Sequence, residues 1–390
     1  MYSERLKRLP PYLFVEIDRL KASYIQAGKE ILDLGIGDPD MGAPPGLVES
    51  LSLKIADPAY HRYPPDRGLP KLLDAIKAWA SERYGVELDG SEVLVTIGSK
   101  EAIGHLPLAV VDPGDVALVP DPGYPVYNSS AVFADAECVT VPLLESNGYW
   151  PDFGAIDPET ARRAKLIYLN YPNNPTAGTA SKERLRETVE FCAVHGIIPA
   201  FDAAYSEITF GRPSIPLFPL AREAGIPYIE FYSFSKTFCI TGWRIGFAVG
   251  SRDVIAALAR VKSNLDSGVF GAIQDTISGA MGDAYDEHVS RIRDIYRERR
   301  DILAGSLRRA GLSFCMPEAT FYFWIRTPGG RGSVEFCTFL LENLGIVATP
   351  GVGFGSCGEG YFRLSVTAAT DTVRKAGRML ESLPAMLGDA

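Results

Sequence analysis

Six short apolar runs alternate with amphipathic segments between about residue 90 and residue 250. The runs cover residues 93–97, 116–119, 166–169, 197–201, 229–232 and 245–249. The clearest helix between them is predicted over residues 181–195, with Ser181 as its N-cap and apolar residues at helical spacing. This alternation predicts an α/β fold in which a large, mostly parallel sheet is flanked by helices.

The pattern changes after about residue 252. Helices are predicted over 252–264 and 286–310, and strands over 314–326, 346–349 and 361–366. These segments predict a smaller α+β unit, with the boundary near residues 265–285. A further helix is predicted over residues 11–27.

Composition excludes several classes of protein. The 390 residues carry a net charge of -9 and no basic tract, which argues against a nucleic-acid partner. No apolar stretch is long enough to span a membrane, and the N-terminus lacks the apolar core of a signal peptide, so we expect a cytoplasmic protein. The six cysteines and four histidines are scattered, and no metal site is expected.

One lysine, Lys236, directly follows the apolar run at 229–232. Desolvation at the end of a buried strand lowers the pKa of a lysine and makes its amine nucleophilic. Ser233, Ser235 and Arg244 nearby are the groups that a phosphate dianion requires. The combination suggests a covalently bound phosphorylated aldehyde, pyridoxal 5'-phosphate (PLP). A solvated basic turn would explain this segment equally well.

Polar residues also follow the other apolar runs. Ser99 and Lys100 come after the run at 93–97, Asn174 after 166–169, and Asp202 and Tyr205 after 197–201. Ligands of open parallel sheets bind beyond the carboxyl ends of the strands. We therefore expect these side chains and Lys236 to meet at one edge of one sheet.

Each strand-end residue has a possible role and an ordinary alternative. A carboxylate at Asp202 would pair with the protonated pyridine nitrogen of PLP, or it could cap a helix. Tyr205 and Asn174 would donate hydrogen bonds to the phenolate O3' of PLP, although Asn174 could equally be a turn residue. Ser99 and Lys100 begin a helix whose N–H groups suit a phosphate, or form an ordinary cap.

Two further residues lie outside this set. Tyr124 belongs to a rigid Pro/Gly loop and could stack on the pyridine ring. Arg363 is the one charged residue of an apolar strand, where a buried guanidinium requires an anion. A substrate carboxylate would satisfy it through paired hydrogen bonds, and so would a distant acidic residue.

Taken together, these motifs resemble the fold type I, PLP-dependent aminotransferases of class I and II over essentially the whole chain. The motifs are Asn173-Asn174-Pro175-Thr176, Asp202-x-x-Tyr205, Ser233-x-Ser235-Lys236, Trp243-Arg244-Ile245-Gly246 and Phe362-Arg363-Leu364-Ser365. The resemblance implies an N-terminal arm and part of the small domain at 1–45. It also implies a large PLP-binding domain at 46–270 and a small domain at 271–390.

The resemblance also implies functions for individual residues. Lys236 would bind PLP covalently and move the substrate proton, with Asp202 and Tyr205 as its catalytic partners. Residues contacting the cofactor would be Ser99, Lys100, Tyr124, Asn174, Asp202, Tyr205, Ser233, Ser235, Lys236, Arg244 and, from the neighbouring subunit of a homodimer, Tyr63. Residues contacting the substrate would be Tyr12, Gly37, Lys100, Asn174 and Arg363.

Within this group the chain is most similar to the LL-diaminopimelate aminotransferases. That similarity rests on residues 9–14, 34–40, 97–101, 121–127, 202–209 and 266–270. It departs from the usual pattern at Ala177, where glycine is common, at residues 41–44, and at Cys239, where asparagine is common. The departure at 41–44 lies near the expected substrate site and bears on the identity of the substrate.

The expected reaction is the transfer of an amino group from an amino acid, LL-diaminopimelate, to a 2-oxo acid such as 2-oxoglutarate. Alternatives are an aminotransferase for alanine, aspartate or a specialised biosynthetic substrate, and a PLP lyase or synthase on the same fold. A transcriptional regulator is not expected, because no basic DNA-binding segment precedes the sheet.

Overall fold

The computed structural model describes residues 2–9, 21–22, 24–26, 28–282 and 285–387. The helices are α1 (Glu4–Lys7), α2 (Pro45–Ile55), α3 (Pro70–Tyr84), α4 (Ser99–Val110), α5 (Val126–Phe133), α6 (Pro158–Arg163), α7 (Lys182–His195), α8 (Phe218–Glu223), α9 (Phe234–Thr237), α10 (Arg252–Leu265), α11 (Gly271–Ala280), α12 (Tyr285–Arg309), α13 (Ser333–Leu344), α14 (Thr370–Leu380) and α15 (Leu383–Leu387). Most of the helix predicted over 11–27 lies outside the described residues.

The strands form three sheets. They are β1 (Leu32–Asp33), β2 (Val93–Thr96), β3 (Val116–Asp121), β4 (Glu137–Pro142), β5 (Ala164–Asn170), β6 (Ile198–Asp202), β7 (Ile229–Ser233), β8 (Gly246–Gly250), β9 (Tyr322–Arg326), β10 (Ile346–Val347), β11 (Thr349–Pro350) and β12 (Tyr361–Ser365).

The large sheet has seven strands in the order β2-β8-β7-β6-β5-β3-β4. Only β8 runs antiparallel to its neighbours β2 and β7. The prediction of a mostly parallel sheet is confirmed, and each of the six apolar runs overlaps a strand. The edge strand β4 was missed because only Val141 among its six residues is fully buried, so it lacks an apolar run.

Helix α7 illustrates how the sequence determines the elements around this sheet. The hydroxyl of Ser181 accepts a hydrogen bond from the backbone N–H of Arg184 at 3.3 Å, so the predicted N-cap is confirmed. The apolar side chains of Leu185, Val189 and Cys192 face the core, and Gly196 ends the helix with a left-handed φ of 67°.

The smaller sheet is antiparallel, in the order β11-β12-β9. The strand predicted over 314–326 is correct only from Tyr322 to Arg326, because Thr320 has φ of 63° and interrupts the extended backbone. Strand β1, from the N-terminal part of the chain, pairs in parallel with β10. The N-terminal segment therefore contacts the C-terminal unit, while the exact domain boundaries stay a prediction.

Apolar side chains cover both faces of the large sheet, and a separate core forms around β9, β12, α12 and α14. The described part of the chain contains no helix that is both long and apolar enough to cross a bilayer. The carboxyl ends of the parallel strands of the large sheet lie where these two parts of the chain meet.

Candidate active site

A cavity of about 490 Å³ lies at the carboxyl ends of the parallel strands, a size suited to a small organic ligand. It is lined by the ends of β5, β6 and β7, the start of α4, and residues of the smaller sheet. The predicted residues among its walls are Gly37, Ser99, Lys100, Tyr124, Asn174, Asp202, Tyr205, Ser233, Ser235, Lys236, Arg244 and Arg363.

Lys236 lies in the short helix α9, which begins directly after β7. Its Nζ donates a hydrogen bond to the carbonyl oxygen of Gly37 at 2.8 Å. Burial lowers the pKa of the Lys236 amine to about 8, with Asp38 opposing and Arg363 reinforcing this shift. Near neutral pH a useful fraction of the amine is therefore unprotonated and nucleophilic.

Asp202 is the last residue of β6, and only 5% of it is exposed. Its Oδ2 accepts a hydrogen bond from the Tyr127 hydroxyl at 2.8 Å, and its Oδ1 accepts one from the Ala204 N–H at 3.1 Å. Burial raises the pKa of Asp202 to about 6 despite these bonds. Because both hydrogen-bond donors are neutral, the charge of the buried Asp202 carboxylate has no cationic partner among them, and the site suits a cationic ligand atom.

The start of α4 and the segment after β7 form a concave polar surface. Gly98 precedes α4 with φ of 70°, and a Cβ there would lie 2.8 Å from Nη2 of Arg244. A Cβ at Gly246 would likewise lie 2.9 Å from the backbone N of Ser99. Two glycines thus let the guanidinium and the N–H groups of the first helical turn come close together, as a phosphate site requires.

Arg363 lies on β12, and only 3% of it is exposed. It donates to Oδ1 of Asn174 and to the carbonyl oxygen of Gly35, both at 2.7 Å. Its guanidinium also lies over the rings of Tyr322 and Phe354, 4.1 and 4.8 Å from their centroids. These contacts hold the guanidinium plane in a fixed orientation at the wall of the cavity.

Tyr205 connects the two sheets. Its hydroxyl is 3.1 Å from the hydroxyl of Tyr322, which begins β9. Burial raises the pKa of Tyr205 well above 10, so it is a neutral hydrogen-bond donor at physiological pH.

The cavity also contains residues to which sequence reasoning gave no role, namely Ile36, Gly98, Tyr127, Asn170, Ala204, Thr241, Tyr322 and Phe354. Tyr127 ends the recognised segment 121–127, and Asn170 directly follows the apolar run at 166–169, so these two could have been found. Tyr322 and Phe354 lie in segments with no polar motif, and nothing in the sequence singles them out.

Two predicted site residues lie apart from this cavity or beyond the structure. Tyr63 is 91% exposed and does not line the cavity. Tyr12 lies outside the described residues. The contacts predicted for both residues stay predictions.

The residues present fit PLP. The buried lysine suits its aldehyde, the concave surface around Gly98 and Arg244 suits its phosphate, and the desolvated Asp202 suits its ring nitrogen. Each of these groups lies in the same cavity.

The chain is similar to known proteins both in sequence and in structure. The model for the family "Aminotransferase class I and II" matches residues 29–378. An LL-diaminopimelate aminotransferase of Syntrophobacter fumaroxidans is 47% identical, over 98% of each chain. One of Aquifex aeolicus is 45% identical, over 98% of this chain and 99% of its own. The substrate-bound structure of BacF from Bacillus subtilis superimposes with a TM-score of 0.92 at 35% identity, over 98% of each chain.

Proposed function

The chain belongs to the class I and II aminotransferases, and from that premise we propose that its amino donor is LL-diaminopimelate and its acceptor is 2-oxoglutarate. Its enzymatic class is that of a PLP-dependent transaminase. The proposed reaction converts the donor to 2-amino-6-oxopimelate and 2-oxoglutarate to glutamate. The first product would then cyclise with loss of water to tetrahydrodipicolinate.

One observation carries this proposal. Lys236, Asp202 and Arg363 lie around one cavity in a chain that is 44–47% identical, over nearly its full length, to eight LL-diaminopimelate aminotransferases. The alternatives of an alanine or aspartate enzyme, or of a PLP lyase or synthase, are not favoured by these relatives.

The chain's own residues would hold the cofactor at four positions. Ser233, Ser235 and Arg244, together with Ser99 and Lys100 at the start of α4, would bind its phosphate. Asp202 would hold a proton on the ring nitrogen, and Tyr205 and Asn174 would donate hydrogen bonds to O3'. Tyr124 would pack against the ring face. When bound, PLP supplies a ring that withdraws electrons and so stabilises the negative charge left at Cα after proton removal.

Lys236 would act as the base. Its buried amine, with a pKa of about 8, is suited to accept a proton from the substrate Cα and, as the resulting ammonium, to give that proton up again. The carbonyl of Gly37 receives the Nζ–H bond at 2.8 Å and holds the amine on the side of the cavity that faces the small sheet. A base fixed in this way favours transfer between two nearby carbons.

Arg363 would bind the α-carboxylate of the substrate through its planar guanidinium. Asn174 would assist by fixing that guanidinium through their 2.7 Å hydrogen bond. Gly37, Lys100 and Tyr12 would contact other parts of the substrate. Lys100 is exposed at the cavity wall, where an ammonium group can reach the distal carboxylate of a long diacid donor.

A homodimer with shared active sites is part of the proposal. The 91% exposed ring of Tyr63 and the exposed apolar side chains of Leu53, Leu265 and Phe270 support it, since such groups are commonly buried at interfaces. Tyr63 would reach the phosphate site of the neighbouring subunit. The division into domains at residues 45 and 270 and a cytoplasmic location also remain proposals.

The substrate is tested with the purified PLP-bound enzyme and 2-oxoglutarate. Glutamate formation is measured with LL-diaminopimelate, its meso isomer, N-succinyl-LL-diaminopimelate, aspartate and alanine as donors. We expect the highest kcat/KM with LL-diaminopimelate and a cyclic product of matching mass. Good turnover of another donor, without turnover of LL-diaminopimelate, would refute the substrate but not the enzymatic class.

The shared site is tested by subunit mixing. We expect Tyr63→Phe to bind PLP more weakly, and Lys236→Ala to be inactive. A hybrid dimer of the two variants has one site with both native residues and one site with neither. When the variants are unfolded together and refolded, random pairing makes about half of the dimers hybrid. The mixture should therefore gain about a quarter of wild-type activity. Additive activity without any gain on mixing would contradict a Tyr63 contribution across the interface.

A further inference from the structure

Tyr322 lies where the small sheet reaches the cofactor cavity. It begins β9, is 2% exposed, and pairs with Ser365 of β12. Its ring face covers the guanidinium of Arg363 at 4.1 Å, and its hydroxyl is 3.1 Å from that of Tyr205. One side chain therefore touches both the proposed carboxylate-binding residue and the proposed donor to O3'.

The position of the Tyr322 hydroxyl is fixed by its surroundings. It lies against Gly37, where an added Cβ would overlap the hydroxyl and approach Cζ of Tyr322 to 2.7 Å. The ring also packs edge-on against Tyr205, with centroids 5.6 Å apart. The side chain thus has little freedom to turn away from Tyr205.

The number of protons on the two hydroxyls indicates which tyrosine donates the hydrogen bond between Tyr205 and Tyr322. Each tyrosine hydroxyl has one proton to donate and can also accept. A negatively charged O3' of bound PLP would attract the Tyr205 proton, which leaves the Tyr205 oxygen as the acceptor for Tyr322. Hydrogen bonds in such a chain strengthen one another.

We propose that Tyr322 is a positioning residue, whose hydroxyl orients and strengthens the hydrogen bond from Tyr205 to O3' and whose ring holds the Arg363 guanidinium in place. The inference rests on the proposed function, since it takes Tyr205 as the donor to O3'. The Tyr322 side chain has two effects that can be tested separately. The hydroxyl acts on the cofactor and the ring acts on substrate binding.

The test of the hydroxyl is a spectroscopic pH titration of the PLP-bound enzyme. Tyr205 lowers the pH at which the bound cofactor loses a proton, because a donated hydrogen bond favours the more negative form. We expect Tyr322→Phe to raise the midpoint of the absorbance change by about half a pH unit, as fits the partial loss of one hydrogen bond. Tyr205→Phe should raise it further.

A double variant separates direct from indirect action. If Tyr322 acts through Tyr205, Tyr322→Phe should add no shift in a Tyr205→Phe background. An equal shift in both backgrounds, or no shift in either, would overturn the role of the hydroxyl. The matched control is Tyr361→Phe, which removes a hydroxyl that donates to Glu145 at 2.9 Å on the same sheet but outside the cavity. It should leave the midpoint unchanged.

The ring is tested by steady-state kinetics. Tyr322→Phe should keep KM for the amino donor within about twofold, because the aromatic face over Arg363 remains. Tyr322→Leu should raise KM by roughly tenfold, and equal KM values for both variants would overturn the role of the ring. If the wild-type protein binds no PLP, the proposed function fails; if it binds PLP and Tyr322→Phe titrates normally, only this inference fails.

Discussion

Replacing Asp202 by asparagine should stabilise the protein without cofactor while weakening its chemistry. The pKa of Asp202 rises from 3.8 to about 6 because the carboxylate is buried. A difference of about two pKa units corresponds to about 3 kcal/mol of free energy against the ionised form in the folded state. Asparagine has nearly the same shape and can keep the bond from the Ala204 N–H, but it carries no charge to desolvate.

The size of this effect depends on pH. Below about pH 3 the carboxyl is protonated in both the folded and the unfolded chain, and Asp202 does not destabilise the fold. As the pH rises to about 6 the unfolded chain loses its proton first, so the folded state of the wild type loses stability relative to the variant. The advantage of Asp202→Asn should therefore be absent below about pH 3 and complete at about pH 7.

Thermal unfolding of the cofactor-free proteins measures the difference. About 3 kcal/mol, divided by an unfolding entropy of about 2.1 cal/mol/K for each of 390 residues, gives a Tm increase of about 3–4 °C at pH 7.5. Asp152→Asn is the control, because Asp152 is exposed and accepts a bond from the Gly154 N–H at 3.1 Å. It should show no rise in Tm.

Addition of PLP should reverse the order. The wild type gains the pairing of Asp202 with a protonated ring nitrogen and should rise in Tm more than the variant, whose turnover should be lower by several orders of magnitude. If the cofactor-free variant is no more stable than the wild type at pH 7.5, burial of the ionised Asp202 carboxylate does not destabilise the cofactor-free fold, and this reasoning is refuted.

Three further changes test other parts of the site. Borohydride should attach PLP covalently to the wild type but not to Lys236→Ala, as judged by the mass of the intact protein. Arg363→Lys keeps the charge but loses the planar fork, and should raise KM for the amino donor roughly 10- to 100-fold while the protein still binds PLP. Gly37→Ala places a Cβ against Tyr322 and should lower both Tm and kcat, whereas Gly211→Ala, where nothing lies within 4 Å, should alter neither.

Much of the large sheet was predictable because parallel strands that are buried on both faces consist of consecutive apolar residues. The residues that follow those runs, such as Asn174, Asp202 and Lys236, could be placed together for the same reason: the carboxyl ends of neighbouring parallel strands share an edge.

The rest of the site depends on contacts that a linear pattern does not record. Tyr322 belongs to the small sheet, whose antiparallel strands mix buried aromatic residues of equal appearance; Phe321 and Phe323 beside it are just as buried. Phe354 reaches the cavity from a short 3₁₀ turn. Which of these aromatics meets the cavity is decided by the docking of the two sheets, and residue type alone does not reveal it.

That docking joins substrate recognition to the cofactor site along two routes. Arg363 donates to Asn174 on the large-sheet side, and Tyr322 stacks on Arg363 while contacting Tyr205. A carboxylate that draws the guanidinium toward itself must therefore act on both residues proposed to bind O3'. Because both routes begin at one guanidinium, loss of either should weaken the response of the cofactor spectrum to a bound diacid, and loss of both should abolish it.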